Sequence, residues 1–324
     1  MNPLASAKPS ASDEPSDTIG SEARASFLTL THRGDIERFA VLRRSINLFA
    51  PGWRHVAVVN TEDRAAFERR FEADTLLRIV TTKEVLPEWL ERRRRKPGLG
   101  RHLRRWMYGR PVKGWYIQQL AKIFMLARLQ CEAGVFLDSD VFLCRRLTNE
   151  VFFSDGKLRL FRRRATDAEG FAFDISTHIV LGNPLHRVTE LYDYIFSPAS
   201  FRKSTAIALL AEFDRRRLSR RSKWLRRFIK LERPSEYNLL GYAATVLENC
   251  AGYELTECEP DLLHHSIRFP EDRARLAAEI DRMCERPKPF ALIQSSLGIE
   301  PSVISEVIER LARIQPPAQA APPS

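Results

Sequence analysis

Asp138-Ser139-Asp140 is the segment best equipped for chemistry, because it sets two carboxylates one residue apart between the apolar runs Val135-Phe136-Leu137 and Val141-Phe142-Leu143. A buried strand seldom ends in two acids unless a cation or several donors meet them, since unpaired buried charge is costly. In an extended chain residues i and i+2 point the same way, so Asp138 and Asp140 can converge on one divalent ion. Hard oxygen ligands suit Mg²⁺ or Mn²⁺, ions that often hold a diphosphate as well. The plainer alternative is a pair of acids capping a solvated turn. A third acid, Glu236, follows Pro234-Ser235 in the first turn of a predicted helix over 236–249, with Ser235 as its N-cap. The helix macrodipole favours a carboxylate there, and a general base for a hydroxyl is the functional alternative.

These residues need elements to position them. Apolar residues at Ile117, Leu120, Phe124 and Ala127 predict a helix before the aspartates. Cys131-Glu132-Ala133-Gly134 is expected to close it, with Gly134 as the left-handed residue past its end. Upstream, strands are predicted over 27–31, 56–59 and 76–80. Helices over 36–49 and 64–71 lie between them; Pro51-Gly52 stops the first, and residues 60–63 cap the second. Strand alternating with helix at this spacing predicts an α/β fold with a mostly parallel sheet and right-handed crossovers. In such sheets ligands bind beyond the carboxyl ends of the strands. Thr31, His32, Arg33, Asn60 and Asp63 all fall at such ends, together with Asp138 and Asp140. Asp35, Asn60 and Asp63, taken singly, are also ordinary helix caps.

After the aspartates, strands are expected over 158–161 and 177–181 and helices over 187–196 and 205–217. The basic stretch 91–110, broken by Pro97, Gly98, Gly100 and Gly109, reads as a mobile loop. A second basic run, 215–230, interleaves Trp224, Leu225, Phe228 and Ile229 with arginines at helical spacing. That is an amphipathic basic surface of the kind that lies on anionic membranes; the alternative is a helix packing its apolar face on the core. Both arginine runs are read as lying outside the strand ends where a ligand would sit. A last strand over 288–293 closes the fold and puts Gln294 and Ser295 at its carboxyl end.

Helix, glycine, apolar strand, Asp-x-Asp and apolar strand together resemble the DxD region of GT-A-fold glycosyltransferases. Gly114-Trp115-Tyr116-Ile117-Gln118-Gln119-Leu120-Ala121-Lys122 before Leu137-Asp138-Ser139-Asp140 is similar to a bacterial family of glycosyltransferase-like proteins, over about residues 27–299. The resemblance implies a Rossmann-type GT-A domain over 26–314, with a nucleotide-binding half to residue 147 and a more helical acceptor half from 148. It implies a metal-dependent transfer of sugar from a nucleotide-diphosphate donor to a bacterial glycan or lipid-linked acceptor. Asp138 would contact the ribose or the ion, and Asp140 would hold the Mn²⁺ or Mg²⁺. Gln118 and Lys122, one helical turn apart, would face the donor. Glu236, in a Ser-Glu-Tyr segment that the family shares, would be a catalytic candidate. A late histidine, His264 or its neighbour His265, would complete the metal site. Synthesis at the inner face of the membrane, in the cytoplasm, is the natural setting.

The 324 residues are 44% hydrophobic and 29% charged, enough for a sizeable core and against global disorder. A net charge of +11 asks for an anionic partner: nucleic acid, lipid or a phosphorylated substrate. A nucleic-acid-binding protein without catalysis is the alternative class, but no DNA- or RNA-binding motif accompanies the arginines. Five scattered cysteines form no CxxC pair, which argues against a disulfide framework or zinc cluster. Residues 1–25, rich in Ser, Ala, Pro and Asp, read as a disordered leader, and 315–324 as a disordered tail.

Overall fold

Apolar runs without alternation need cover on both faces, and this chain opens with two of them. Every residue of β1 (Ala25–Leu30) and β2 (His55–Val59) is buried, as strands of a parallel sheet between helices require. The computed structural model describes residues 24–94, 112–183, 191–218, 223–257, 264–267 and 275–315. After β1 come α1 (Ile36–Phe49), β2, α2 (Arg64–Arg70), β3 (Leu77–Thr81), α3 (Thr82–Val85), α4 (Glu88–Arg94), α5 (Gly114–Leu126), β4 (Ala133–Phe136) and β5 (Val141–Leu143). The later elements are β6 (Phe153–Ser154), β7 (Lys157–Arg164), α6 (Ala168–Leu181), β8 (Tyr192–Asp193), β9 (Ala199–Arg202), α7 (Lys203–Arg215), α8 (Lys223–Phe228), α9 (Glu236–Tyr242), β10 (Tyr253–Glu257), β11 (His264–Ile267), α10 (Leu276–Glu285), β12 (Phe290–Ile293) and α11 (Pro301–Ile314).

The central sheet has the order β3-β2-β1-β4-β9. Its first four strands are parallel, with Leu28 opposite both Val56 and Phe136, and β9 is an antiparallel edge. The fold is therefore mixed α/β with a mostly parallel central sheet and flanking helices. The winding reverses between β1 and β4, and this is the switch point at which such sheets leave a crevice. A second sheet, β11-β12-β5, has β12 antiparallel to β5, and a third is built on β7 and β10. One apolar cluster, from Ala25 to Leu311, runs beneath all of these elements.

Several expectations need correction. Gly134 lies within β4, and α5 has already ended at Leu126. A Cβ on Gly134 would stand 2.9 Å from Leu126 Cδ1, so the glycine serves close packing of strand on helix. Residues 177–181 are the end of helix α6, which Asp167 caps by accepting from Gly170 N and Gly182 ends in the left-handed region at φ 72°. Residues 192–193, expected to be helical, form strand β8 against β7, and Arg163 ion-pairs with Asp193 at 2.8 Å; residues 184–190 lie outside the described residues. Residues 91–94 are helical, and 95–111 lie outside the description. Ala25 belongs to β1 and not to a leader. Gln315 donates to Cys144 O at 2.6 Å and so is anchored. The fold does not end with β12, because α11 follows and packs on α1. In the basic run 215–230, Trp224, Leu225 and Phe228 are buried, and Trp224 stacks on Phe213 with centroids 4.3 Å apart. Those side chains belong to the core and are not available to a membrane.

Candidate active site

β1 and β4 deliver Thr31 and Asp138 to the same edge of the sheet, and α5 crosses beneath both. One turn of α5 separates Gln118, which lines a cleft, from Lys122, whose Nζ donates to Asp138 Oδ1 at 3.2 Å. Lys122 is 5% exposed. Its ammonium also meets Glu236 Oε1 at 3.0 Å and donates to the Tyr237 hydroxyl at 2.8 Å. An ammonium has three donors, so all are engaged. Burial alone would lower the Lys122 pKa; Asp138, Tyr237 and Glu236 outweigh it and hold the group well above its ordinary value.

Glu236 opens α9, where Ser235 Oγ accepts from Asn238 N at 3.2 Å. The Glu236 N–H donates to Gln119 Oε1 at 3.1 Å. Burial pushes the Glu236 carboxyl up, and Lys122 pulls it back. This carboxylate is 2% exposed and bound to an ammonium, the geometry of a residue holding Lys122 in place.

Asp140 sits differently. Its Oδ2 accepts from Ser295 N at 3.2 Å, and its carbonyl accepts from Ile293 N at 3.1 Å, so β12 braces it from far along the chain. Its carboxyl is pushed up to about 6, by burial first and by Asp138 next, against the Ser295 N–H. Asp138 stands near enough to raise Asp140, and two neighbouring carboxylates are a donor set that a divalent cation can take. Among the described residues no group of three or more His, Cys, Asp or Glu is placed to hold a metal. A pair alone would need phosphate oxygens and water to complete the shell of an ion such as Mg²⁺ or Mn²⁺.

The late histidines are not brought to the aspartates. Ile267 pairs with Ile293, which is level with Asp140, whereas His264 pairs with Phe290 three residues back along the strand, about 10 Å away. His265 Nδ1 meets Glu279 Oε1 at 3.0 Å, and its Nε2 accepts from Lys288 N at 3.2 Å. Ser295, expected at the end of the last strand, does reach Asp140.

The cleft, of about 1000 Å³, opens at the ends of β1 and β2 and is lined by Thr31, His32, Asn60, Arg94, Lys113 and Gln118 among others. The Thr31 hydroxyl is buried with no hydrogen-bond partner among the described residues. Arg33 and Asp63 stand behind the lining. Asp63 Oδ2 accepts from Arg33 N at 3.1 Å and from Asn60 Nδ2 at 2.9 Å, and so ties the two strand-end loops together. Arg94 is the residue that sequence reasoning placed elsewhere. It reaches the cleft wall from α4 and donates to Asn60 Oδ1 at 3.1 Å and to both carboxylate oxygens of Glu62 and of Glu91. The spacing Glu91-x-x-Arg94 on one helical face was the available signal.

The fold is a mixed α/β protein with a cleft at the carboxyl ends of β1 and β2 and a lysine-carboxylate cluster one turn of α5 away. The chain belongs to the family described as "Family of unknown function (DUF6492)", whose model matches residues 26–315. No curated protein matches it. Among solved structures it is similar to the galactosyltransferase LgtC in complex with donor and acceptor sugar analogs, at 12% identity over 88% of this chain and 95% of that one, TM-score 0.41. It is similar to mouse xyloside xylosyltransferase 1 at 10% identity over 85% and 99%, TM-score 0.42. The glycosyltransferase GlyE of Streptococcus pneumoniae TIGR4 gives 9% identity over 92% and 66%, TM-score 0.45. At such values the likeness carries no residue-by-residue correspondence.

Proposed function

We propose that the protein is a divalent-metal-dependent glycosyltransferase whose nucleotide-diphosphate sugar lies across the β1/β4 switch point. The observation that carries this reading is the pair Asp138 and Asp140, two neighbouring carboxylates of which Asp140 is raised by burial and by Asp138, beside the cleft that opens at the ends of β1 and β2. Thr31, Asn60 and Gln118 would take the nucleoside end in the cleft. Asn60, oriented by Asp63 and Arg94, would present a fixed amide, and the Thr31 hydroxyl would gain the partner it lacks. Asp138 and Asp140 would hold Mn²⁺ or Mg²⁺, which when bound neutralises charge on a leaving diphosphate. Lys122, pinned by Glu236 and Tyr237, adds a fixed positive charge at Asp138 and keeps that carboxylate oriented. The acceptor would be a hydroxyl of the class the motif implies, a glycan or a lipid-linked sugar.

The test is thermal unfolding of the full chain with a panel of nucleotide sugars, with Mn²⁺ and with chelator. A ligand at a hundred times its Kd stabilises the native state by about 2.7 kcal/mol, so a binder raises the midpoint only when Mn²⁺ is present. No shift with any nucleotide sugar, or an equal shift in chelator, sinks the reading.

A further inference from the structure

Helix α6 is built inside out. Asp174, Ser176 and Thr177 face inward at 7%, 7% and 1% exposure, while Phe171, Ile175 and Ile179 stand in solvent at 39%, 38% and 38%. A helix on a protein surface ordinarily does the reverse. Residues four apart lie on one face, so the three apolar side chains form a single stripe. The end of the helix is tied to α7, where Arg216 donates to Leu181 O at 3.1 Å and to Asn183 Oδ1 at 2.5 Å. Asp174 lies 3.6 Å from His178 Nε2, and His178 Nδ1 is bonded to the Asn183 amide at 3.1 Å. Rolling the helix to hide the stripe would expose Val180 and Leu181, 0% and 1% exposed, in exchange.

The surroundings of the stripe are basic. Arg233 ion-pairs with Glu169 in the first turn and sits over the Phe173 ring at 5.9 Å. Arg227 lies at the last turn, with its guanidinium 3.5 Å from Val180 O. α8 packs against α6 and exposes Lys223, Arg226 and Arg227, with exposed Lys230 just beyond it. The apolar side of α8 is turned into the core, so α8 supplies charge and α6 supplies the apolar surface.

We propose that this stripe and its basic rim dock the protein on an anionic lipid bilayer, with Phe171, Ile175 and Ile179 at the headgroup boundary and the lysines and arginines at lipid phosphates. Apolar side chains bordered by cations suit such a surface, and the chain carries a net charge of +11. A second copy would bring a rim of the same sign against it. Among the described residues no helix is long and apolar enough to cross a membrane, so attachment through this face is peripheral. The inference does not depend on the nucleotide reading.

The test is flotation of the full chain with vesicles of phosphatidylcholine mixed with phosphatidylglycerol, beside vesicles of phosphatidylcholine alone. The parent should float with the mixed vesicles and much less with the neutral ones. Phe171→Ser with Ile175→Ser and Ile179→Ser should weaken flotation by about tenfold or more, with circular dichroism and thermal midpoint checking that it folds. Lys223→Ser with Lys230→Ser should cost about thirtyfold, two basic contributions of ordinary size. Ile207→Ser, at an exposed position on α7, should change nothing. Equal flotation of the parent on both vesicle types, or unchanged flotation of the triple variant, overturns the proposal. So does a parent that fails to float but is a dimer that the triple variant dissolves.

Discussion

Two charge clusters share one edge of the sheet and differ in which way their carboxylates are pushed. At the cleft wall Arg94 engages all five of its N–H donors, and Glu91, although buried, is held below its ordinary range by that guanidinium. Around Asp138 two carboxylates, its own and that of Glu236, share the single ammonium of Lys122, and both Asp140 and Glu236 are held above their ordinary range, by burial first. Buried acids are lowered where cations suffice and raised where they do not. The first cluster is complete and holds loops still; in the second, burial wins at both raised acids.

The largest effect should come from removing the shared ammonium. Lys122→Met leaves Glu236 buried without a partner, and stability in urea should fall by about 3–5 kcal/mol. Adding Glu236→Gln to that variant should recover much of the loss. A Lys122→Met protein with the parent's midpoint would show that the ammonium does not hold the cluster.

Asp140→Asn should act on affinity and not on the fold. Mn²⁺-dependent nucleotide binding should weaken about a hundredfold, roughly 2.7 kcal/mol, while the thermal midpoint without metal stays level or rises. Calorimetric titration checks it; binding equal to the parent's would falsify the placement of the ion.

The complete cluster should respond in the opposite way. Arg94→Ala leaves Glu91 buried beside the Thr61 and Thr82 hydroxyls without a guanidinium, and stability should fall by about 2 kcal/mol. If Arg94→Ala cost no stability while Asp140→Asn did, the contrast between the clusters would be reversed.

The smallest effect is a slope with pH. Asp140 must lose its proton to take a cation, so Mn²⁺ affinity should be constant above about 6 and fall below it, by about tenfold for each further unit. For the protein without metal the sign is opposite. A carboxyl raised in the folded state contributes stability that is present below its unfolded value of 3.8 and is lost as pH rises through about 6. Asp140→Asn should flatten that slope between about 4 and 6, which denaturant midpoints at several pH values would show.

The first half of the chain was legible because its signals are local. The strands near residues 27, 56 and 76, helix 36–49 and the acids after β4 follow from short apolar runs and 3.6-residue periodicity. Residues 177–181 misled because Thr177, Ile179 and Val180 are β-branched, a strand-like composition overruled by the Asp167 cap and the Gly182 stop. What joins the site was not legible at all. Lys122 and Tyr237 are 115 residues apart in sequence, and no local pattern pairs a helical lysine with a first-turn glutamate. The same holds for His264, which depends on a β11/β12 register that its own neighbours do not encode. Arg94 was hidden by its company, one arginine of a run in which Arg92 turns to Glu88 and Arg93 to the Trp89 ring.

The Ser295 amide reaches Asp140 across 155 residues, and this has a consequence for the timing of synthesis. A ribosome adds about 5–20 residues per second, so roughly 10–30 s pass between the two. During that interval β1 to β4 can pair and bury their apolar faces, while Asp140 waits without its brace and β5 without its partner strand. A stalled or shortened chain could thus carry a formed cleft and both aspartates and still lack the brace that holds Asp140. The last strand makes the site a report that the rest of the chain has arrived.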